Sequence, residues 1–550
     1  MSSDKNGTMA VVDMEVLKAL VEETPGVKIV TPQVGMGVSR ERVGGEAWHG
    51  SMAVIAHPSG RQRRGSSFRQ VVAAFFANLG TINTGMMFGF SAVTIPQLKQ
   101  PDSLIPIDEN EASWIASLSS VSTPFGCLLS GYLLDTFGRK RTIIMCLMPM
   151  IVGWFLICAA TGVYMIYAGR LLVGLGAGMM GSPARVYTGE VTQPHLRGML
   201  AAVASVGVSL GVSIQYIVGS FFPWNWLAFV NASVPTIAFI SAFFLPESPT
   251  YLLNRGRIES ARSALTRLRG RTCDVEGELQ DLINFANKTK TATDKEPTKG
   301  DTLRAILHPS ALKPFAILAL YFLFYQFSGV NPVTFYAVEI IQESGAEMNK
   351  YAATIILGLV RLGFTVVSCI MMRRFGRRPL TFISSVGCGV SMFGFGFYMY
   401  MSDQWTVQGV EKIATWFPVV NLFVFMAAST IGYLVVPWVM IGELYPSKVR
   451  GIMGGLTTFV GHFCVFIVVK TFPFFKSVST FGTFLMYGTV SLLGTIFFFL
   501  YLPETQGRTL QEIEDYFCGR TKTLGPQKDT VNNNTVKPPI VKANKDGSLP

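Results

Sequence analysis

Long apolar stretches are the feature that most constrains how this chain can fold. From residue 70 to residue 502, stretches of roughly 20 residues with few charges follow one another, separated by shorter polar segments. A helix of that length crosses the hydrocarbon core of a bilayer. The chain is 49% hydrophobic and only 15% charged, which argues against a large soluble protein with an ordinary polar surface. We therefore predict an all-α membrane protein.

The hydropathy pattern predicts twelve transmembrane helices. The predicted spans are Gln70–Thr94, Ala112–Leu134, Thr142–Thr161, Tyr164–Tyr187, Met199–Phe221, Asn225–Leu245, Phe315–Val338, Tyr351–Met372, Pro379–Tyr400, Pro418–Ile441, Ile452–Phe472 and Gly482–Leu502. They form two predicted six-helix bundles, residues 68–248 and 314–503, joined by a short cytoplasmic helical linker at 249–313. The polar segments 1–67 and 504–550 are predicted to be cytoplasmic tails, the first of them disordered.

Basic residues cluster on one side of this predicted topology. They include Arg139, Lys140, Arg141, Arg374, Arg377 and Arg378. Because cytoplasmic loops retain Lys and Arg, both termini are predicted to be cytoplasmic. The net charge of +12 is explained in the same way, without a nucleic-acid partner. The eight cysteines show neither a disulfide framework nor metal-ligand spacing, and we expect no cofactor.

An internal repeat relates the two predicted bundles. Glu190 precedes Arg197 by seven residues, and Glu443 precedes Arg450 by the same seven; GRK after Asp135 recurs as GRR, and PES recurs as PET. Parallel repeats of this kind are typical of carriers whose substrate site lies between two halves. The repeated charges predict a cytoplasmic latch of ion pairs that breaks when that side opens, although loop charges can also serve only to fix topology. The predicted latch residues are Asp135, Arg139, Glu190, Arg197, Glu247, Arg377, Arg378, Glu443, Arg450 and Glu504.

Seven motifs carry a resemblance to a known family. GYLLDTFGRKR, GRLLVGLGAG, YTGEVTQPHLRG, LPESPTYLL, YQFSGVNPVTFYA, PWVMIGELYPSKVRG and LPETQGRTLQEIE resemble motifs of the sugar porter family of the major facilitator superfamily. They occur in register from about residue 67 to residue 517. Within that family the chain looks most like the insect facilitated trehalose and hexose transporters. The resemblance implies the major facilitator fold and a small-molecule sugar as substrate.

The resemblance also implies a substrate site in the seventh span. By that resemblance Gln326 and Asn331 contact the sugar, Trp438 lines the cavity, and Phe335 and Tyr336 form part of an external gate. Sugars need several hydrogen-bond donors and acceptors together with an apolar face, which amides and aromatic rings supply. Judged from the residues alone, an intramembrane Gln or Asn also fits a simple interhelical hydrogen bond.

Four residues of the expected cavity depart from the pattern of many hexose carriers. Ser205 and Tyr325 stand where Gln is common, Arg361 where Asn is common, and His462 where Trp is common. Arg361 either contacts substrate, as a donor to hydroxyls or a fork on an anion, or pairs with a carbonyl or acid of its own chain. His462 either couples protons or, as a lone His more often does, only forms a hydrogen bond.

Facilitated diffusion of a sugar by alternating access is the function that these features favour. Proton-coupled sugar porters carry an Asp in the first span, whereas this chain has Ser91 near that position. A proton symporter and a non-transporting nutrient sensor on a carrier scaffold remain as alternatives. No nucleophile–base pair, metal cluster or phosphate loop indicates an enzyme. We expect a monomer that works in the lipid bilayer of the plasma membrane.

Overall fold

The computed structural model of the protein describes residues 66–270, 273–292, 304–446, 449–508 and 510–521. Within these ranges every regular element is a helix. The predicted tails fall mostly at residues 1–65 and 522–550, which lie outside the described residues, as do residues 271–272 and 293–303 of the predicted linker.

Six long helices form what we call the N-terminal group. They are α1 (Ser67–Leu98), α2 (Glu109–Phe137), α3 (Arg139–Cys158), α4 (Val163–Val191), α5 (Pro194–Gly219) and α6 (Trp224–Phe244). Three shorter helices follow: α7 (Pro249–Asn254), α8 (Ile258–Arg269) and α9 (Val275–Ala292). These three share a small apolar core of their own, which includes Leu253 and Leu265.

The helices that follow form the C-terminal group. They are α10 (Pro309–Gln326), α11 (Val330–Phe335), α12 (Ala337–Glu343), α13 (Lys350–Phe375), α14 (Arg377–Gln408), α15 (Phe417–Ile431), α16 (Val436–Leu444), α17 (Arg450–Val478) and α18 (Thr480–Tyr501), with α19 (Leu510–Phe517) after them.

Ten helical segments of the described residues are long and apolar enough to cross a membrane, so the chain is a multi-pass membrane protein. The predicted spans Ala112–Leu134 and Phe315–Val338 are not among the ten. The first lies in α2, whose many Ser and Thr residues lower its hydropathy. The second is divided among α10, α11 and α12: α11 and α12 are too short to cross alone, and the polar residues at both ends of α10 lower its hydropathy.

Close helix packing in the N-terminal group depends on small residues. A Cβ atom on Gly85 of α1 would lie 1.9 Å from the carbonyl oxygen of Val208, and one on Gly211 of α5 would lie 2.0 Å from that of Ile82. Because no side chain fits at such distances, glycine lets the backbones of α1 and α5 touch, as small residues do in membrane helix pairs.

The seventh predicted span breaks at Gly329. This residue has a φ of +91°, and a Cβ there would also lie 2.9 Å from the Tyr487 ring. Glycine adopts this left-handed conformation without the steric cost that other residues meet. The break ends α10 at Gln326 and begins α11 at Val330, which frees backbone and side-chain polar groups inside the apolar region.

The long helices run between two ends of the molecule, which we name after one residue each. The Arg139 end contains the start of α1 and of α3, and the Lys99 end contains the end of α1 and the start of α2. The two groups meet where α2 packs on α17, α5 on α13, and α1 on α11 and α12. The break in α10–α12 therefore lies beside the interface between the groups.

Candidate functional site

Gln326 and Asn331 lie on either side of the Gly329 break and bond to each other. The Asn331 amide donates to Oε1 of Gln326, and Nε2 of Gln326 donates to the carbonyl oxygen of Gly461 at 3.4 Å. Both side chains are almost fully buried. The structure therefore gives them the interhelical bond that the residues alone suggest, and it leaves amide lone pairs and N–H groups with which they can also contact a polyol.

Trp438 lies next to this amide pair and faces three different side chains. Its ring is 5.0 Å from the ring of buried Phe322 and 5.4 Å from that of His462. The guanidinium carbon of Arg185, on α4 of the other group, lies 6.0 Å from the Trp438 ring centre. Trp438 is only half-buried, so part of the indole remains available to a bound molecule.

His462 follows Gly461 directly and so lies close to Gln326. Its Nδ1 atom is buried and has no hydrogen-bond partner among the described residues. The hydrogen bond expected of a lone membrane His is therefore missing at this atom. An unpaired buried acceptor or donor is costly, and a polar substrate or water would relieve that cost.

Tyr325 and Ser205 occupy different surroundings. Tyr325 is buried, with its ring 5.7 Å from that of Tyr433. Ser205 is half-buried on α5, one helical turn before Ser209, whose hydroxyl pairs with Thr365 on α13 at 2.7 Å. Residues four apart share a helix face, so Ser205 lies on the side of α5 that faces the C-terminal group.

Arg361 is buried on α13 and makes one side-chain hydrogen bond. Its Nη1 donates to Oγ1 of Thr334 at 3.0 Å, while Nε has no partner among the described residues. The hydroxyl of Tyr216, on α5, donates to the Thr334 carbonyl oxygen at 2.7 Å. Arg361 is thus held beside the broken helix with part of its donor fork unused, and none of the ion pairs of the described part of the chain includes it.

The predicted gate residues, Phe335 and Tyr336, lie toward the Lys99 end. Phe335 is fully buried, and its ring lies 5.6 Å from that of Phe88 on α1. Tyr336 packs on Phe472 at 5.1 Å and donates to the carbonyl oxygen of Val469 at 3.4 Å. Because Phe88 belongs to the N-terminal group and Phe335 to the C-terminal group, this aromatic contact joins the two groups.

Charged contacts also join the two groups at the Lys99 end. Lys99 Nζ lies 2.8 Å from Glu339 on α12 and 2.9 Å from Glu109 on α2. Lys470, on α17, donates to the Ser113 hydroxyl at 2.6 Å and lies 3.9 Å from the Trp114 ring centre. These contacts were not predicted from the sequence. The acidic residue Glu109, ten residues after Lys99, was the available signal for an ion pair.

At the Arg139 end, the repeated acids bind within the N-terminal group. Arg139 forms a forked pair with Glu190, at 2.8 Å and 2.9 Å, and the Ser248 hydroxyl also bonds to Glu190. Glu247 accepts the backbone N–H groups of Arg139 and Lys140, each at 3.0 Å. The Glu247 carboxylate therefore caps the start of α3, where the helix dipole favours an anion.

The C-terminal group repeats this arrangement. Arg377 pairs with Glu443 at 2.5 Å, and the Thr505 hydroxyl donates to Glu443 at 2.6 Å. Glu504 accepts the backbone N–H groups of Arg377 and Arg378 at 3.1 Å and 2.9 Å.

Three other predicted latch residues are placed differently. Arg450 donates to the carbonyl oxygen of Tyr445 at 3.1 Å. Asp135 is exposed and belongs to none of the ion pairs of the described residues, and Arg139 pairs with Glu190. The side chain of Arg197 lies outside the described residues. In this conformation no ion pair of the described residues at the Arg139 end joins the two groups, and the latch between halves stays a prediction.

Comparison with known proteins decides the family. The family model described as "Sugar (and other) transporter" matches residues 72–517. The chain belongs to this sugar transporter family. Proteins of this kind are membrane carriers and not enzymes.

Several relatives are facilitated trehalose transporters named Tret1. The facilitated trehalose transporter Tret1 of Culex quinquefasciatus is 32% identical over 460 residues, which cover 83% of this chain and 87% of the relative. Tret1 of Bombyx mori is 32% identical over 81% of this chain and 86% of its own length. The chain spans 56% of Tret1 from Aedes aegypti, at 31% identity.

Solved structures show the same fold at low sequence identity. The inward open conformation of the xylose transporter XylE from E. coli matches with a TM-score of 0.65 at 20% identity, over 81% of this chain and 99% of that one. The proton:xylose symporter XylE bound to 6-bromo-6-deoxy-D-glucose matches with a TM-score of 0.64 at 20% identity, over 82% and 98%. The sugar transporter described here therefore has the major facilitator fold.

Arg170 is a fully buried cation with five side-chain hydrogen bonds. It donates to the carbonyl oxygens of Ile115, Met87 and Ala116 and to the hydroxyls of Ser91 and Ser119, at 2.9–3.3 Å. These bonds tie α4 to α1 and α2, which is a structural role.

Proposed function

We propose that this sugar transporter is a uniporter that carries a sugar, such as trehalose or a hexose, by alternating access between its two groups. In this proposal twelve helices span the membrane, namely the ten apolar segments, α2, and the broken helix α10–α12. The two groups are the two six-helix bundles, residues 68–248 and 314–503, and α7–α9 belong to the cytoplasmic linker at 249–313. The similarity to facilitated trehalose transporters supports the substrate class and the facilitated mode.

One observation carries the proposal: the buried amide pair at the Gly329 break. Gln326 and Asn331 place amide donors and acceptors beside the interface between the groups, where the aromatic face of Trp438 is also available. Together they offer the mixture of hydrogen bonding and apolar stacking that a sugar requires. Broken helices at this depth form the substrate sites of many carriers.

The conformation described here is closed at the Lys99 end and more open at the Arg139 end. The Lys99–Glu339 pair, the Lys470–Ser113 bond and the Phe88–Phe335 contact all join the two groups at the closed end. Toward the Arg139 end, an apolar crevice of about 420 Å³ lies between α1, α5 and α13. We assign the Arg139 end to the cytoplasm because basic residues concentrate there, so this is an inward-facing state with both termini in the cytoplasm.

Uniport is favoured over proton coupling by the surroundings of Ser91. Its hydroxyl accepts a bond from Arg170 at 2.9 Å, in the region where proton-coupled relatives carry an acid. The helix that contains it, α1, has no carboxylate along its length. We further propose that the protein acts as a monomer in the plasma membrane.

Sugar uptake into proteoliposomes tests this proposal. Saturable uptake of radiolabelled trehalose, glucose or fructose, unchanged by an imposed proton gradient, is the expected result. Uptake that rises severalfold with an inward proton gradient would instead identify a symporter. Absence of uptake by folded protein would favour a nutrient sensor.

A further inference from the structure

Arg185 places a positive charge without an ion-pair partner among the described residues beside the proposed sugar site. Arg185, on α4, is exposed toward the C-terminal group, where it faces Trp438 and interacts electrostatically with His462. It takes part in none of the ion pairs or hydrogen bonds of the described residues. Arg185 was not among the predicted site residues. Its position inside the predicted span Tyr164–Tyr187 could have indicated a functional role, because charged residues within membrane spans are usually functional.

The acids nearest to Arg185 along the chain are already engaged. Glu190, five residues later on α4, holds Arg139 in a forked pair. Glu443, five residues after Trp438, holds Arg377. The helices α1, α5, α10, α13 and α17, which contribute the other proposed contacts, contain no Asp or Glu.

Arg361 adds a second cation near the same amide pair. It lies beside Thr334, three residues after Asn331, and its Nε lacks a partner among the described residues. Arg185 therefore faces Trp438 and Arg361 lies beside Thr334, and neither guanidinium forms an ion pair among the described residues. Arg361 is buried in this low-dielectric region without a counter-charge among the described residues, which is costly, and an anionic ligand would reduce that cost.

We propose that Arg185 contacts the substrate and that, with Arg361, it makes the site prefer sugars that carry an oxyanion, as in uronates and sugar phosphates. This inference rests on the proposed sugar site and names its substrate class more closely. Guanidinium groups match carboxylate and phosphate oxygens in forked geometry, and such charge-assisted bonds are the stronger ones. Arg185 would hold the anionic group on the side toward the Arg139 end, and Trp438 would support the ring.

Ligand-dependent thermal stability of the purified full chain tests this inference without relying on transport. Glucuronate and glucose 6-phosphate are each titrated against glucose, and the ratio of dissociation constants measures the preference. We expect the anions to bind at least about tenfold more tightly than glucose, and Arg185→Gln to reduce that ratio about tenfold. If only one anion binds more tightly, the source of the oxyanion is identified as carboxylate or phosphate.

Arg141→Gln is the matched control, because Arg141 is exposed at the Arg139 end and should leave the ratio unchanged. Equal binding of glucose and both anions by the wild-type protein would overturn the inference, and that result does not depend on how any variant folds. An unchanged ratio in folded Arg185→Gln would overturn it as well. Arg185→Lys, which keeps the charge but not the fork, should retain part of the preference.

Failure of the proposed function gives a different result. In that case the wild-type protein binds sugars, yet proteoliposomes take up none of them. Loss of the anion preference with intact uptake of neutral sugar would contradict only the inference about Arg185.

Discussion

Lys99 Nζ lies 2.8 Å from Oε1 of Glu339 and thereby joins the N-terminal group to the C-terminal group at the closed end. Both side chains are largely buried from solvent, which limits screening by salt. Burial lowers the pKa of Lys99, but the carboxylates of Glu339 and Glu109 outweigh it, so the pKa is raised above its ordinary value of 10.5. Since Lys99 keeps its charge until the pH rises through this raised pKa, the link persists from neutral pH to above about pH 10.5 and is lost beyond it.

Lys99→Gln should shift the protein toward states that are open at the Lys99 end. An ion pair of this exposure contributes up to about 1 kcal/mol, which corresponds to roughly a two- to fivefold change in population. Distances between spin labels on α1 and α12 would report that change. Lys476→Gln is the control, because Lys476 pairs with Glu343 inside the C-terminal group at 2.6 Å. Equal shifts in both variants would show that the Lys99 pair does not hold the groups together.

Gln326→Ala should weaken sugar uptake at least tenfold while the amount of protein in the membrane stays the same. The substitution removes the amide that bonds to both Asn331 and Gly461, and with it the main proposed substrate contact. Gln342→Ala is the control, since Gln342 is an exposed amide at the Lys99 end. Uptake unaltered by Gln326→Ala would remove Gln326 from the proposed site.

Arg361→Asn should change substrate preference more than folding. The guanidinium makes one side-chain bond, to Thr334, so its removal sacrifices little structure and alters the donors that face the substrate. Competition by a panel of neutral and anionic sugars would measure the preference, and size-exclusion chromatography would measure folding. Disappearance of folded protein from the membrane would instead make Arg361 a structural residue.

Arg170→Gln should behave in the opposite way and reduce the yield of folded protein. Arg170 holds carbonyl groups of both α1 and α2, and its loss leaves several buried acceptors unpaired. Breaking such a buried charged network costs about 3 kcal/mol or more. A thermal unfolding comparison with Arg361→Asn checks the contrast. A stable Arg170→Gln protein with altered sugar preference would place Arg170 in the substrate site instead.

Local features of the chain were sufficient to predict a helical protein that crosses the membrane many times. Apolar length predicts the spans, ten of which are long and apolar enough to cross among the described residues. Sequence also indicated that Glu190 and Glu443 are equivalent, because both stand seven residues before an Arg-Gly pair. It did not indicate their partners: Arg139 and Glu190 are far apart in sequence, and only packing brings them together.

Contacts between the two groups could not be predicted from the sequence either, because their partners are also far apart along the chain. Lys99 and Glu339 belong to different groups, so their pairing depends on which conformation the protein adopts. Arg185 was missed because its importance comes from Trp438, on a helix of the other group. The predicted latch concerned the opposite end of the molecule, where Glu190 binds Arg139 and Glu443 binds Arg377, each within its own group.

Radiolabelled sugar uptake in proteoliposomes, with and without an imposed proton gradient, tests the central claim most directly. The account predicts saturable uptake of trehalose or a hexose that is the same with and without the gradient and is lost in Gln326→Ala. Uptake that depends on the proton gradient would contradict uniport. No saturable uptake of any sugar by folded wild-type protein would contradict the proposed transport function.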